Sequence, residues 1–188
     1  MIRLRKSATL SIALCALSAI AFSIGVAFGA ASSYTSVASG SRTVEIQANS
    51  ATLFNQTLSV ASGNNTVLAT NSGPTIFTDH KTTPSSGNIQ IRVINASTSL
   101  GMADIYVVTP GVDISTVNPT FSSLAYQSAS SYATVSAGSY QIEFAQAGSK
   151  NVLINSNAIS FSSGQIRTVL ALDNPSGGFT IAVLSDLN

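Results

Sequence analysis

From residue 34 onward the chain alternates apolar and polar positions with a period of two, the spacing of a half-buried β-strand. Val44 and Ile46 alternate with Thr43, Glu45 and Gln47. Ile89, Ile91 and Val93 alternate with Gln90 and Arg92, and Ala103, Ile105 and Val107 with Asp104 and Tyr106. The pattern predicts further strands at Leu53–Phe54, Leu58–Val60, Thr66–Thr70, Thr75–Thr78, Ser123–Tyr126, Tyr132–Val135, Tyr140–Phe144, Asn151–Ile154, Ala158–Phe161, Ile166–Asp173 and Phe179–Leu184. Between them stand turn residues, as in Ser62-Gly-Asn-Asn65, Pro110-Gly111, Ser162-Ser-Gly164 and Asn174-Pro-Ser-Gly-Gly178. Gly and Asn suit turns because they tolerate positive φ. Short, regularly spaced strands with turn signals between them predict an all-β sandwich or barrel.

The first 31 residues follow another pattern. Arg3, Arg5 and Lys6 precede 24 residues, Ala8 to Ala31, that carry no charge. A basic start, an apolar run and small residues near its end describe a secretory signal peptide, with small-x-small sites at Gly25-Val-Ala27, Ala27-Phe-Gly29 and Gly29-Ala-Ala31. The run exceeds the roughly 7–15 residues of a usual signal core. It also exceeds the ~20 residues that a membrane-spanning helix needs. Two readings therefore stand, a cleaved signal and a retained anchor, and both predict an apolar helix. Cys15, the single cysteine, is read as a small residue inside the run.

The chain also repeats itself. Ala31-Ser-Ser-Tyr34 and Ala129-Ser-Ser-Tyr132 lie 98 residues apart, and a Val, a Gly-Ser and a Glu follow each at equal offsets. Such a match marks an internal repeat. The register continues upstream, where Val26-Ala-Phe28 aligns with Leu124-Ala-Tyr126, but the counterpart of Asn88 to Thr98 would fall before Met1. The expected organisation is a signal or anchor over 1–31, a partial repeat over 32–81, a Pro/Gly/Ser linker over 82–87 and a complete domain over 88–188. Half a sandwich exposes an apolar face and open strand edges, which are prone to pairing. The partial repeat is thus expected to dock on the second domain, on the apolar N-terminal segment, or on another chain by self-association.

Charge and chemistry narrow the function by exclusion. Only 8% of residues are charged. Past residue 31 five scattered bases face seven acids, a net charge of −2. Nucleic-acid binding needs clustered bases that displace counterions, so that class is set aside. A Ser-His-Asp site would have to use His80, the single histidine, which lies in the polar loop Asp79-His-Lys81. One His and one Cys cannot furnish the four ligands of a structural zinc. Glu45 and Glu143 are equivalent across the repeat and read as solvent-facing strand residues. Asp104, Asp113, Asp173 and Asp186 lack the close-spaced acidic loop of a calcium site. Tyr34 and Tyr132 read as core-edge residues whose hydroxyls cap backbone, as in a tyrosine corner. Gly40, Gly63, Gly138 and Gly164 read as turn glycines. No catalytic, cofactor-binding or metal-ligating residue is assigned.

One ordered set of motifs carries a resemblance: Ile91-Arg-Val-Ile-Asn-Ala-Ser97, Ala103-Asp-Ile-Tyr-Val107, Tyr132-x-x-Val135 with Ala137-Gly-Ser-Tyr140, Ser163-Gly-Gln-x-x-Thr168-Val, and Val183-Leu-Ser-Asp186. In this order they resemble the bacterial family called domain of unknown function 4397, over 88–188 in full and about 26–80 in part. The resemblance implies an immunoglobulin-like antiparallel β-sandwich, often in tandem, found in exported or surface proteins, and it brings no catalytic residues. The expected function is a non-enzymatic module of the bacterial cell envelope, structural or adhesive, with membrane contact only through a retained N-terminal segment. The alternative is a carbohydrate- or small-ligand-binding module; clustered exposed aromatics at one end of the sandwich would favour it.

Overall fold

The computed structural model describes residues 9–14, 35–36, 39–48, 51–70, 72–80, 82–174 and 176–187. The fold is all-β apart from one 3-10 turn among these residues. The chain divides into two compact units, Met1–Lys81 and Thr82–Asn188.

Unit 1 comprises β1 (Thr9–Leu14), β2 (Thr35–Ser36), β3 (Gly40–Ala48), β4 (Ala51–Val60), β5 (Asn64–Thr70) and β6 (Gly73–Thr78). Four of these form one sheet in the order β2-β1-β5-β6, while β3 and β4 pair antiparallel as a two-stranded sheet. β1 runs parallel to β5, with Ser11 opposite Thr66 and Ile12 opposite Val67. This corrects the expected N-terminal helix where the run is described: Thr9–Leu14 is a strand. Within those six residues Leu10, Ile12 and Leu14 alternate with Thr9, Ser11 and Ala13, a period of two. The edge of β5 offers main-chain donors and acceptors that must find partners, and β1 supplies them. The remainder of the run lies outside the described residues. No described helix is long and apolar enough to cross a membrane. The two short strands expected at Leu53–Phe54 and Leu58–Val60 are one continuous strand, β4.

Unit 2 comprises β7 (Asn88–Asn95), β8 (Ala103–Val108), the 3-10 turn η1 (Ile114–Thr116), β9 (Phe121–Leu124), β10 (Ser128–Ala129), β11 (Ala133–Ser136), β12 (Gly138–Gln146), β13 (Val152–Asn155), β14 (Ile159–Phe161), β15 (Ile166–Asp173) and β16 (Phe179–Leu187). One sheet runs β10-β7-β15-β16 with β11 also on β7; the other runs β13-β12-β8-β9 with β14 also on β12. Ile89, Ile91, Val93, Val169 and Ala171 from the first sheet meet Ala103, Ile105, Ile142, Phe144, Ile154 and Phe161 from the second in one core. Each Ile or Phe so buried contributes about 1.5–3 kcal/mol of transfer free energy. Residues 82–87, expected as a linker, are tied into this unit. Gly87 N–H donates to Ser163 Oγ at 2.9 Å, and Ala137 N–H donates to the Gly87 carbonyl at 2.8 Å.

The repeat is visible in the strands. β12 begins and ends 98 residues after β3. Ser62-Gly63 and Ser163-Gly164 turn with φ of 106° and 86° at the glycines, each ahead of a Thr-Val-Leu-Ala segment: Thr66–Ala69 in β5 and Thr168–Ala171 in β15. β15 lies parallel to β7, with Thr168 opposite Arg92 and Val169 opposite Val93. Superposing the two registers puts Leu10, Ser11 and Ile12 of β1 at the places of Ile91, Arg92 and Val93. The N-terminal segment therefore fills the first-strand position that the repeat lacks in sequence.

Candidate functional site

The parallel register of β7 on β15 sets Arg92 beside Thr168, and a bulge in β16 adds Asp186. Ile166 pairs with Leu187 and Arg167 with Ser185, so Asp186 is the extra residue between them. Arg92 Nε and Nη2 donate to Thr168 Oγ1 at 3.0 and 2.8 Å. That hydroxyl donates to Asp186 Oδ2 at 2.6 Å, and Arg92 Nη2 lies 3.6 Å from the same oxygen. Tyr132 closes the cluster: its hydroxyl donates to Asp186 Oδ2 at 2.6 Å, and its ring lies 4.8 Å from the Arg92 guanidinium carbon. Arg92 and Asp186 are each 2% exposed and Thr168 is fully buried. Tyr132, expected to cap backbone, thus places its hydroxyl on a buried carboxylate. Tyr140 caps backbone, donating to the Ser136 carbonyl at 2.8 Å.

Unit 1 holds the core of the same cluster. Thr66 Oγ1 lies 3.1 and 3.0 Å from the two carboxylate oxygens of Asp79, and both residues are buried. Ile76-Phe-Thr-Asp79 answers Val183-Leu-Ser-Asp186. The polar pair is thus a recurring part of this module.

A scan against protein-family models matches domain of unknown function 4397 (DUF4397) over residues 17–106 and again over 107–188. The chain belongs to that family. The first matched segment of this DUF4397 chain begins after β1, runs through the rest of unit 1 and ends in β8 of unit 2, so it takes in β7 with Arg92. No curated protein matches the chain.

Three further aspartates of the DUF4397 chain knit loops. Asp173 accepts from Ser97 Oγ, from Thr98 N–H at 2.9 Å and Oγ1 at 2.8 Å, and from Ser99 N–H at 3.3 Å, which pins the loop between β7 and β8. Burial pushes its pKa up, but these four donors outweigh that and hold it below the usual aspartate value. Asp104 accepts from Ser123 N–H at 2.7 Å and Gly148 N–H at 2.8 Å. Ser123 has a φ of 54°, so the carboxylate helps hold a strained residue. Asp113 caps η1 through Ser115 N–H at 2.9 Å, which lowers its pKa. Asp104, Asp113, Asp173 and Asp186 thus serve separate places.

Glu143 corrects a further expectation. It is 7% exposed and not solvent-facing. It projects from β12 opposite Tyr106 of β8, on the face away from the main core. There Ile114 of η1 packs with Tyr106 and Ala145. Lys150 Nζ lies 4.6 Å from the Tyr106 ring centre and donates to the Ile114 carbonyl at 2.8 Å and to that of Val117. Burial, with a smaller push from Asp113, raises the Glu143 pKa. No sequence signal near Glu143 announces this cover, which comes from residues about 30 positions earlier. His80 is exposed after β6. Tyr34 and the Glu45 side chain lie outside the described residues.

Proposed function

We propose that the chain is an exported, non-enzymatic module of the bacterial cell envelope, structural or adhesive, with unit 2 an immunoglobulin-like β-sandwich and unit 1 its tandem relative. The observation that supports this most is where the polar groups of unit 2 go: Arg92, Asp186, Thr168 and Tyr132 bind one another, and Asp104, Asp113 and Asp173 bind loop amides. Catalysis instead needs acids and bases presented toward a substrate. The basic residues Arg3, Arg5 and Lys6 ahead of an uncharged run support export.

The aromatics favour the structural reading over a carbohydrate-binding module. Phe121, Tyr140, Phe144, Phe161 and Phe179 pack in or against the core, and Tyr106 is 1% exposed. A sugar platform would turn such rings outward. The test is fractionation of cells producing the full chain with a C-terminal tag, together with protease treatment of intact cells. Recovery in the envelope or medium with protease access supports the proposal; recovery in the cytoplasm, protected, overturns it.

A further inference from the structure

We propose that the connection between β8 and β9, Thr109–Thr120, is a pH-sensitive cover. It lies closed over the face of β8 and β12 that points away from the main core while Glu143 is protonated. It lifts when Glu143 gives its proton to water, and lifting uncovers Tyr106 and Ala145. This device stands apart from the proposed envelope role and does not rest on it.

The cover begins in the sequence. Two antiparallel neighbours need only about 2–5 residues to turn. β8 ends at Val108 and β9 begins at Phe121, so 12 residues join them. Pro110 and Pro119 lack main-chain donors and keep this excess from extending either strand. The segment folds across the sheet instead. Ile114 seats on Tyr106 and Ala145, with Val108 and Val117 packed against them. Polar ties are few. Gly111 N–H donates to Gln141 Oε1 at 3.1 Å. Lys150 Nζ clamps the far side through the Ile114 and Val117 carbonyls. Thr120, whose N–H donates to the Ile105 carbonyl at 2.7 Å, anchors the base.

Beneath the cover, Glu143 differs from the other buried acids of unit 2. Asp104 accepts from two amides, and Asp186 from Thr168 and Tyr132. Glu143 is also buried, but among the described residues no donor reaches its carboxylate. A buried charge without donors is costly, so the closed form keeps the proton. The titratable groups around Glu143 are Tyr106 and Asp104 of β8, Asp113 at the start of η1 and Lys150 beyond β12. Its neighbour on β13, Asn155, does not titrate. Lys150 gives its ammonium to the carbonyls of the cover and to the Tyr106 ring. Asp113 is held below the usual aspartate value, so it is already charged where Glu143 ionises. Rising pH therefore adds a second negative charge beside the first. Burial and Asp113 both make the closed form bind its proton more tightly than a solvated glutamate, whose value is 4.5. Closure is thus favoured below that value and weakens as pH rises through the value of the closed form.

The test is amide exchange on the full chain, corrected for the intrinsic pH dependence of exchange. The reporters are the N–H groups of Gly111 and Val117, and the reference is Ser156 N–H, which donates to the Ile142 carbonyl. From pH 4.5 to about pH 7, protection of the reporters should fall at least about threefold relative to the reference. Proton contacts between Ile114 and Tyr106 should weaken over the same range. Glu143→Gln removes the titration and keeps the shape, so its reporters should stay protected at both pH values. Constant protection in the unaltered chain, or a fall that persists in Glu143→Gln, overturns the proposal. Should Glu143→Gln fail to fold, the Glu143 carboxyl carbon of the unaltered chain is titrated by nuclear magnetic resonance. A midpoint above 4.5 that coincides with the loss of protection supports the proposal. A midpoint at or below that value, or one separate from the loss of protection, overturns it.

Discussion

The two units place the same Thr–Asp pair beneath a parallel strand, but they fill that strand differently. Unit 2 uses β7, with Arg92 at its centre; unit 1 uses β1, with Ser11 at the corresponding position. The Thr-Val-Leu-Ala segments of β5 and β15, which keep their sequence across the repeat, are buried throughout. The first strand is asked mainly for main-chain bonds and alternating apolar residues, and an unrelated sequence meets that demand. A second difference lies in the other sheet. β12 has β8 along one edge and β13 and β14 along the other, whereas among the described residues β3 pairs with β4 alone.

The largest expected difference between the units follows from the arginine. In unit 2, Asp186→Ala strands a buried guanidinium and should cost about 3–5 kcal/mol. Denaturant unfolding followed by circular dichroism measures it, and Arg92→Met combined with Asp186→Leu should recover most of the loss. Tyr132→Ala removes both the ring beneath Arg92 and a hydroxyl on Asp186, for about 2–4 kcal/mol; an unchanged melting temperature would refute its place in the cluster. In unit 1, Asp79→Ala removes an acceptor of the buried Thr66 hydroxyl and should cost ~1–3 kcal/mol. Equal losses for Asp79→Ala and Asp186→Ala would break the comparison.

Smaller effects come from pH. The Asp173 pKa is depressed in the fold, so its contribution is present above its unfolded value, near 3.8, and is lost as pH falls through the lower folded value. Asp173→Asn should remove that acid-side dependence and speed amide exchange at Thr98 and Ser99. Glu143 is the opposite case. Its folded pKa is raised above 4.5, so its contribution is present below that value and is lost as pH rises through the folded one. Glu143→Gln should therefore raise the melting temperature at pH 7 and flatten its decline above pH 4.5.

Much of this was legible in the chain, and the exceptions have physical causes. Strands such as β7, β8 and β15 show in the alternation because one face of each is core. β3 and β12 show through their fixed offset. β1 was hidden because its alternation is embedded in a longer uncharged run, where composition reads as a leader. The Thr–Asp pair left a signal, Thr-Val-Leu-Ala twice followed by an aspartate. The offsets there are 102 for the threonines and 107 for the aspartates, against 98 upstream, because the turns between strands differ in length. The burial of Glu143 left no local signal, since its cover is a loop folded over from elsewhere in the chain.

Thr9–Leu14 completes the four-stranded sheet of unit 1. At 19.2 kDa the full chain is open to direct measurement of inter-strand proton contacts by nuclear magnetic resonance. Contacts are expected between Ile12 and Val67 and between Leu10 and Asn65, in parallel register. Helical contacts within residues 9–14, three residues apart and with none reaching β5, would contradict it.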